Sequence, residues 1–121
     1  MVRRVSIFGA TGSIGQNTID LISRDLEAYD VVALTGARNV ERLAKDARAL
    51  KADVAVTADE SKLDHLRALL IGSKVEAAAG PAAMREAAHR PVDWFMSAIV
   101  GAAGLAPSIS ALEQGATVAL A

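Results

Sequence analysis

The stretch Gly9-Ala10-Thr11-Gly12-Ser13-Ile14-Gly15 decides how this chain is read. It follows an apolar run, Val5-Ser6-Ile7-Phe8, and opens a segment in which Ile14, Thr18, Leu21 and Ile22 fall on one helical face. A strand, a glycine turn and a helix are therefore predicted in that order. Each glycine has its own reason to be there. The first permits the tight turn, the second lets backbone approach a phosphate, and the third lets helix and strand pack closely. Backbone N–H groups of Thr11 to Ile14 would face an anion at a helix N-terminus, where the helix dipole also favours negative charge. The hydroxyls of Thr11 and Ser13 add donors. In this context the turn predicts a site for a dinucleotide or a related phosphate ligand. The alternative is a glycine turn kept only for packing.

Outward from the turn, strand-like and helix-like periods alternate. Val31 to Leu34 reads as a second strand. Asn39 is a good helix cap, followed by Val40, Leu43, Ala44, Ala47 and Leu50 at helical spacing. Val54 to Val56 is a third strand, and Asp59 caps a helix carrying Leu63, Leu66 and Leu70. Lys74 to Ala77 is a weaker strand, and Gly80-Pro81 opens the next helix. Trp94 to Val100 is a long apolar strand, Pro107 to Gly115 a helix, and Thr117 onward a sixth strand. Such alternation predicts an α/β fold of Rossmann type: a doubly wound, mostly parallel sheet of about six strands with helices on both faces. The near-continuous apolar character of the strands fits a sheet covered on both sides.

Composition narrows the function classes. The chain has 121 residues, one domain's worth, with 13 basic and 14 acidic side chains. That balance argues against a nucleic-acid partner, since such domains carry a basic excess. A hydrophobic fraction of 52% excludes a disordered chain, and 3% aromatic content points to helices packed closely on a sheet. The apolar run from Ala98 to Ala106 is too short to span a membrane, and the N-terminus is too short for a signal peptide. The absence of cysteine excludes disulfides, thiolate metal sites and a cysteine nucleophile within this segment. A cytoplasmic location is the simplest expectation. Ala121 falls inside an apolar strand, so the chain reads as an N-terminal domain, residues 1–121, of a longer protein.

The end of the second strand sets the cofactor. An NAD site usually places Asp or Glu there, about 20 residues beyond the glycines, to hold the ribose 2′-hydroxyl. Here Leu34-Thr35-Gly36-Ala37-Arg38-Asn39 offers no carboxylate. Arg38 stands where a 2′-phosphate would lie, and a guanidinium binds phosphate bidentately. Asn39 adds a hydrogen bond, or serves as a helix cap, or both. The reading is NADP(H). Small residues from Ser97 to Gly104 would pass backbone along the ribose–nicotinamide half. No catalytic constellation accompanies the turn. His65 and His89 read as structural. Asp30, Asp53 and Asp93 stand just before strands, at the edge opposite the ligand. Arg3, Arg4, Arg85 and Arg90 read as solvated charges, and Trp94-Phe95-Met96 as core. Thr11 and Ser13 have no neighbouring base to activate a nucleophile.

Together the segments Gly9–Gly15, Val32–Val40 and Ala98–Leu105 resemble the 1-deoxy-D-xylulose 5-phosphate reductoisomerase family. The third is the most particular of them, and the resemblance runs over the whole chain. It implies an N-terminal NADPH domain followed by catalytic and helical C-terminal domains. Carried over residue by residue, it implies that Thr11, Gly12, Ser13 and Ile14 bind the pyrophosphate, and that Ala37, Arg38 and Asn39 bind the 2′-phosphate adenosine end. Many members have Gly-Lys where this chain has Ala37-Arg38. Arginine keeps the charge, whereas alanine adds a Cβ where backbone approaches the cofactor. The resemblance further implies a divalent cation, Mg²⁺ or Mn²⁺, a phosphosugar substrate and a homodimer, with metal and substrate residues downstream of Ala121. The implied reaction rearranges and reduces 1-deoxy-D-xylulose 5-phosphate to 2-C-methyl-D-erythritol 4-phosphate in non-mevalonate isoprenoid synthesis. Two other classes share the opening turn: semialdehyde or acyl-phosphate dehydrogenases, which use a downstream cysteine, and non-enzymatic modules that bind NADP or coenzyme A.

Overall fold

The structure, a computed structural model, describes residues 2–98 and 114–120. Among them six strands form a single parallel sheet: β1 (Arg3–Phe8), β2 (Tyr29–Gly36), β3 (Val54–Thr57), β4 (Glu76–Ala79), β5 (Trp94–Ser97) and β6 (Thr117–Leu120). Among the described residues four α-helices link β1 through β5: α1 (Ser13–Ser23), α2 (Val40–Leu50), α3 (Leu63–Leu69) and α4 (Gly80–His89). The strand order is β4-β3-β2-β1-β5-β6. The chain thus winds outward from β1 to one edge, then crosses back to build the other half. The expected doubly wound fold is what is found. Of the expected helix from Pro107 to Gly115, residues 107–113 lie outside the described residues, as do the expected strand residues Ile99 and Val100; Gln114 and Gly115 form a turn that leads to β6.

Each face of the sheet has its own core. On one, Val5, Ile7, Val31, Leu34 and Ala55 meet Ile19 and Ile22 of α1, Leu43, Ala44, Ala47 and Leu50 of α2, and Leu66 of α3. On the other, Phe8, Ala33, Val54, Val56 and Phe95 meet Ala87 and Ala88 of α4. The Phe8 and Phe95 rings pack with centroids 4.8 Å apart. Small residues on the helices, Ala44 and Ala47 of α2 and Ala87 and Ala88 of α4, let them approach the sheet closely, as the low aromatic content suggested.

Several expectations are corrected by packing. Helix α1 buries Gly15, Ile19 and Ile22, so Leu21 and Ile14 are exposed, contrary to the face first drawn. The face is rotated because Gly15, with no side chain, is the point of closest contact. Strand β4 begins at Glu76, not Lys74, and runs through Ala79. Asp59 caps a short 3₁₀ turn, Glu60–Lys62, that leads into α3. Trp94 is not core. It is 42% exposed, with the Arg3 guanidinium over its ring at 5.3 Å.

The amino edge of the sheet is stitched by polar groups. Asp93 donates its N–H to the Arg4 carbonyl and accepts the Arg4 N–H on its carboxylate. Asp30 lies within β2, rather than before it, and pairs with Arg4 at 3.6 Å. Arg90 is more than a solvated charge. It chelates Glu86 one helical turn earlier and reaches Glu76 at 3.3 Å, tying α4 to β4. Hydrogen bonding from Arg90 holds the Glu86 carboxyl below the usual range, against the opposing effect of partial burial.

Candidate nucleotide-binding site

The Gly9–Gly15 turn leaves β1 at the carboxyl edge of the sheet and enters α1. Its shape is set by backbone. Gly9 has φ of +83°, a conformation that side-chain-bearing residues rarely adopt. The Gly9 N–H donates to the Thr35 hydroxyl at 3.0 Å, and the Ala10 N–H to the Thr35 carbonyl at 2.7 Å. One fully buried residue of β2 therefore anchors the turn twice. At Gly15 a Cβ would fall 2.4 Å from the Gly9 carbonyl oxygen and 2.7 Å from the Ala10 Cα. These are immovable backbone atoms, so the third glycine is required for helix-on-turn packing. Gly12 differs. Its φ of −78° is ordinary, and the nearest atom to an added Cβ is the Gly9 carbonyl oxygen at 3.7 Å. At that distance an added Cβ would sit in ordinary contact, so packing within the chain does not require this glycine.

Gly12 is also the N-cap of α1. It supplies no side-chain cap, and no acidic residue occupies the first turn. Of the four amides expected to face a ligand, that of Gly12 donates to the Gly9 carbonyl at 3.3 Å. Those of Thr11, Ser13 and Ile14 have no hydrogen-bond partner among the described residues. Thr11 is half-buried against Gly36, whose missing side chain makes room for it; a Cβ there would meet the Thr11 hydroxyl at 3.3 Å. Gly12, Ser13 and Ile14 are exposed.

The second expected segment, Ala37-Arg38-Asn39, follows β2 at the same edge. The Ala37 carbonyl is held by the buried Thr57 hydroxyl, which also accepts the Asp59 N–H at 3.1 Å. Arg38 is exposed over most of its side chain and pairs loosely with Asp59 at 3.8 Å. Asn39 caps α2, its side-chain carbonyl accepting the Arg42 N–H at 3.2 Å. Among the described residues the side-chain NH₂ of Asn39 has no acceptor. An open cleft of about 500 Å³ adjoins the loop, lined by Ala37, Arg38, Asp59, Glu60, Ser61 and Pro81. Hydrogen bonding from the Ser61 hydroxyl is the largest influence holding the Asp59 carboxyl below its usual value, with the Arg38 charge contributing less. The turn and the loop thus stand side by side, because β1 and β2 are adjacent and parallel.

A family model described as 1-deoxy-D-xylulose 5-phosphate reductoisomerase matches residues 5–121. The chain belongs to this family. It is 72% identical over 120 residues to the reductoisomerase of Ruegeria pomeroyi, covering 99% of this chain and 30% of that protein. To that of Jannaschia sp. it is 73% identical over 119 residues, again 30% of the relative. The reductoisomerase of Zymomonas mobilis solved in complex with NADPH superposes with a TM-score of 0.97 at 51% identity, over 100% of this chain and 32% of that one. A DOX-P reductoisomerase solved with magnesium gives 0.91 at 31% identity, over 100% of this chain and 31% of that one. The chain therefore spans about 30% of the length of the curated reductoisomerases it matches.

Sequence reasoning missed three residues near this reductoisomerase turn. Gln16, Asp46 and Arg42 form a polar cluster between α1 and α2. A signal was present: Asp46 occupies a buried position among Leu43, Ala47 and Leu50, where a carboxylate needs a partner. Asp59 was read as a cap and also pairs with Arg38. The small-residue stretch beyond Ala98 lies outside the described residues. His65 and His89 are exposed; His65 stands 3.7 Å from Glu41, and His89 contacts the Arg85 carbonyl one turn earlier.

Proposed function

We propose that this chain is the N-terminal NADPH-binding domain, residues 1–121, of a reductoisomerase. That enzyme would rearrange and reduce 1-deoxy-D-xylulose 5-phosphate to 2-C-methyl-D-erythritol 4-phosphate. The observation that carries the reading is the bare N-terminus of α1 beside an exposed arginine loop, at one edge of a sheet that superposes on an NADPH complex.

The residues present suit the cofactor. Thr11, Ser13 and Ile14 offer free N–H groups at the positive end of a helix, which is where a pyrophosphate is stabilised. Gly12 leaves the space that such a group needs. Arg38 supplies the charge for a 2′-phosphate and must exchange its loose pairing with Asp59 for that contact. Asn39 adds its NH₂ from the cap, and Ala37 gives backbone at the adenosine end. NADPH, when bound, supplies hydride; the chain's own residues bind and orient it.

The catalytic and helical C-terminal domains follow this one in the whole enzyme, which works in the cytoplasm as a homodimer. A divalent cation, Mg²⁺ or Mn²⁺, serves the reaction there, held with the phosphosugar substrate by residues downstream of Ala121. This segment alone binds cofactor without turnover.

The test is a fluorescence titration of the chain with NADPH and, separately, NADH. The reading expects tight NADPH and much weaker NADH. Equal affinity for the two would overturn the 2′-phosphate assignment. For the whole enzyme, NADPH consumption with 1-deoxy-D-xylulose 5-phosphate and Mg²⁺ or Mn²⁺ is the corresponding assay.

A further inference from the structure

We propose that Gln16, Asp46 and Arg42 are positioning residues: a brace that holds the Gly9–Gly15 turn in shape and locks it to the loop that ends at Asn39. The inference rests on the nucleotide reading above and extends it to residues that touch no nucleotide.

Gln16 is the first residue after the third glycine. Its side chain folds back on the turn, Nε2 donating to the Ala10 carbonyl at 2.9 Å. The second Nε2 hydrogen goes to the Asp46 carboxylate at 2.7 Å. Its Oε1 accepts from the Arg42 guanidinium. A glutamine amide has two donor hydrogens and one carbonyl, and here all are used, which fixes its orientation. Its backbone N–H meanwhile donates to the Gly12 carbonyl at 2.8 Å. Ala10 is therefore pinned on both sides, by Thr35 through its N–H and by Gln16 through its carbonyl.

Asp46 explains why this cluster is worth its cost. It is 6% exposed, on the side of α2 that meets α1. A carboxylate so placed is tolerated only with partners, and it has two: Gln16, and the Arg42 Nε at 3.4 Å. Arg42 then joins both halves of the site through one residue. Its side chain holds Gln16, and its backbone N–H donates to the Asn39 cap at 3.2 Å. A displacement of the α2 N-terminus is thereby transmitted to the phosphate turn, and the reverse.

Arg42 also lies one helical turn from Arg38, so a rival account makes it a second cation for the 2′-phosphate. The two accounts differ in what the guanidinium does. A brace serves the pyrophosphate, common to both nucleotides; a phosphate ligand serves NADPH alone.

The experiment compares Arg42→Met and Gln16→Leu with the unmodified chain, with Leu66→Val as a core variant of α3 outside the hydrogen-bonded cluster. NADPH and NADH affinities are measured, and amide hydrogen exchange is followed without nucleotide. The brace predicts that both variants lose about fivefold to tenfold in affinity for each nucleotide, the scale of one lost hydrogen bond. It also predicts faster exchange at the Gly12 and Gln16 amides, with β3 unchanged and Leu66→Val silent in both readouts. Loss of NADPH affinity alone in Arg42→Met would overturn the brace in favour of a phosphate ligand. So would unchanged affinities for both nucleotides, or a Leu66→Val variant that behaves like the other two. Failure of the unmodified chain to bind either nucleotide would sink the nucleotide reading instead, and turn exchange unchanged in Gln16→Leu would then sink the brace separately.

Discussion

Two helices begin side by side at the carboxyl edge of the sheet, and they begin differently. Helix α2 is finished by its own sequence: Asn39 accepts the Arg42 N–H, and Glu41 places a negative charge in the first turn. Helix α1 has neither; its cap is a glycine and its first turn carries no acidic residue. An exposed helix start with free N–H groups has unmet demand for an anion, whereas a capped one has little. The difference teaches how labour is divided. On the function proposed above, the pyrophosphate would fall to the backbone of α1, and discrimination by a 2′-phosphate to side chains at the start of α2. Backbone recognition is rigid and indifferent to the nucleotide. Side-chain recognition is exposed, changeable and selective.

That contrast is open to experiment. The most drastic break is Gly12→Val, which fills the space above the bare helix start. We expect binding of NADPH and NADH to fall below detection in a titration, while folding changes by no more than about 1 kcal/mol. Gly15→Ala attacks the same turn from beneath. Its Cβ would meet backbone at 2.4 Å, so we expect a stability loss of about 3 kcal/mol in urea unfolding. Arg38→Ala tests the selective half. NADPH should weaken by about 1–3 kcal/mol, the scale of a charge-assisted hydrogen bond, with NADH nearly unchanged. Asn39→Ala turns the capped helix into a bare one. It should cost about 1 kcal/mol of stability and weaken NADPH more than NADH.

The smallest effect concerns pH. The Asp59 carboxyl is held below its ordinary 3.8, first by the Ser61 hydroxyl. Its stabilising contribution is therefore complete above that value and is lost as pH falls through the folded-state value. Asp59→Asn should lower stability slightly at neutral pH, where that contribution is fully present, and flatten the acid limb below 3.8, as followed by circular dichroism.

What the sequence disclosed follows from the range of the interactions. The glycine turn, the Asn39 cap and the apolar strands obey local rules, so the doubly wound sheet, the glycine turn into α1 and the capped start of α2 were legible. Helix α1 was read with the wrong face because a glycine, invisible to hydrophobic periodicity, makes its closest contact. Strand β4 was misplaced by two residues because Ala77, Ala78 and Ala79 carry little strand preference. Trp94 was read as core from its apolar neighbours, yet exposure depends on what lies across the sheet face. The Gln16–Asp46–Arg42 cluster spans 30 residues of chain and exists only once α1 and α2 pack together. The Arg38–Asp59 pair likewise needs the ends of β2 and β3 side by side.

Trp94 is the one tryptophan in the chain. It opens β5 at the amino edge, and a strand advances about 3.3 Å per residue, so the indole sits roughly three residues' rise from the crevice edge at Ser97. Indole emission overlaps the absorption of a reduced nicotinamide. On the function proposed above, the domain carries its own energy-transfer donor for a bound reduced nicotinamide, placed in the sheet at the edge opposite the glycine turn. Quenching of that emission would report occupancy and separation in one measurement, without attached dye. Removing the Arg3 guanidinium from above the indole would recalibrate this optical ruler without touching the crevice.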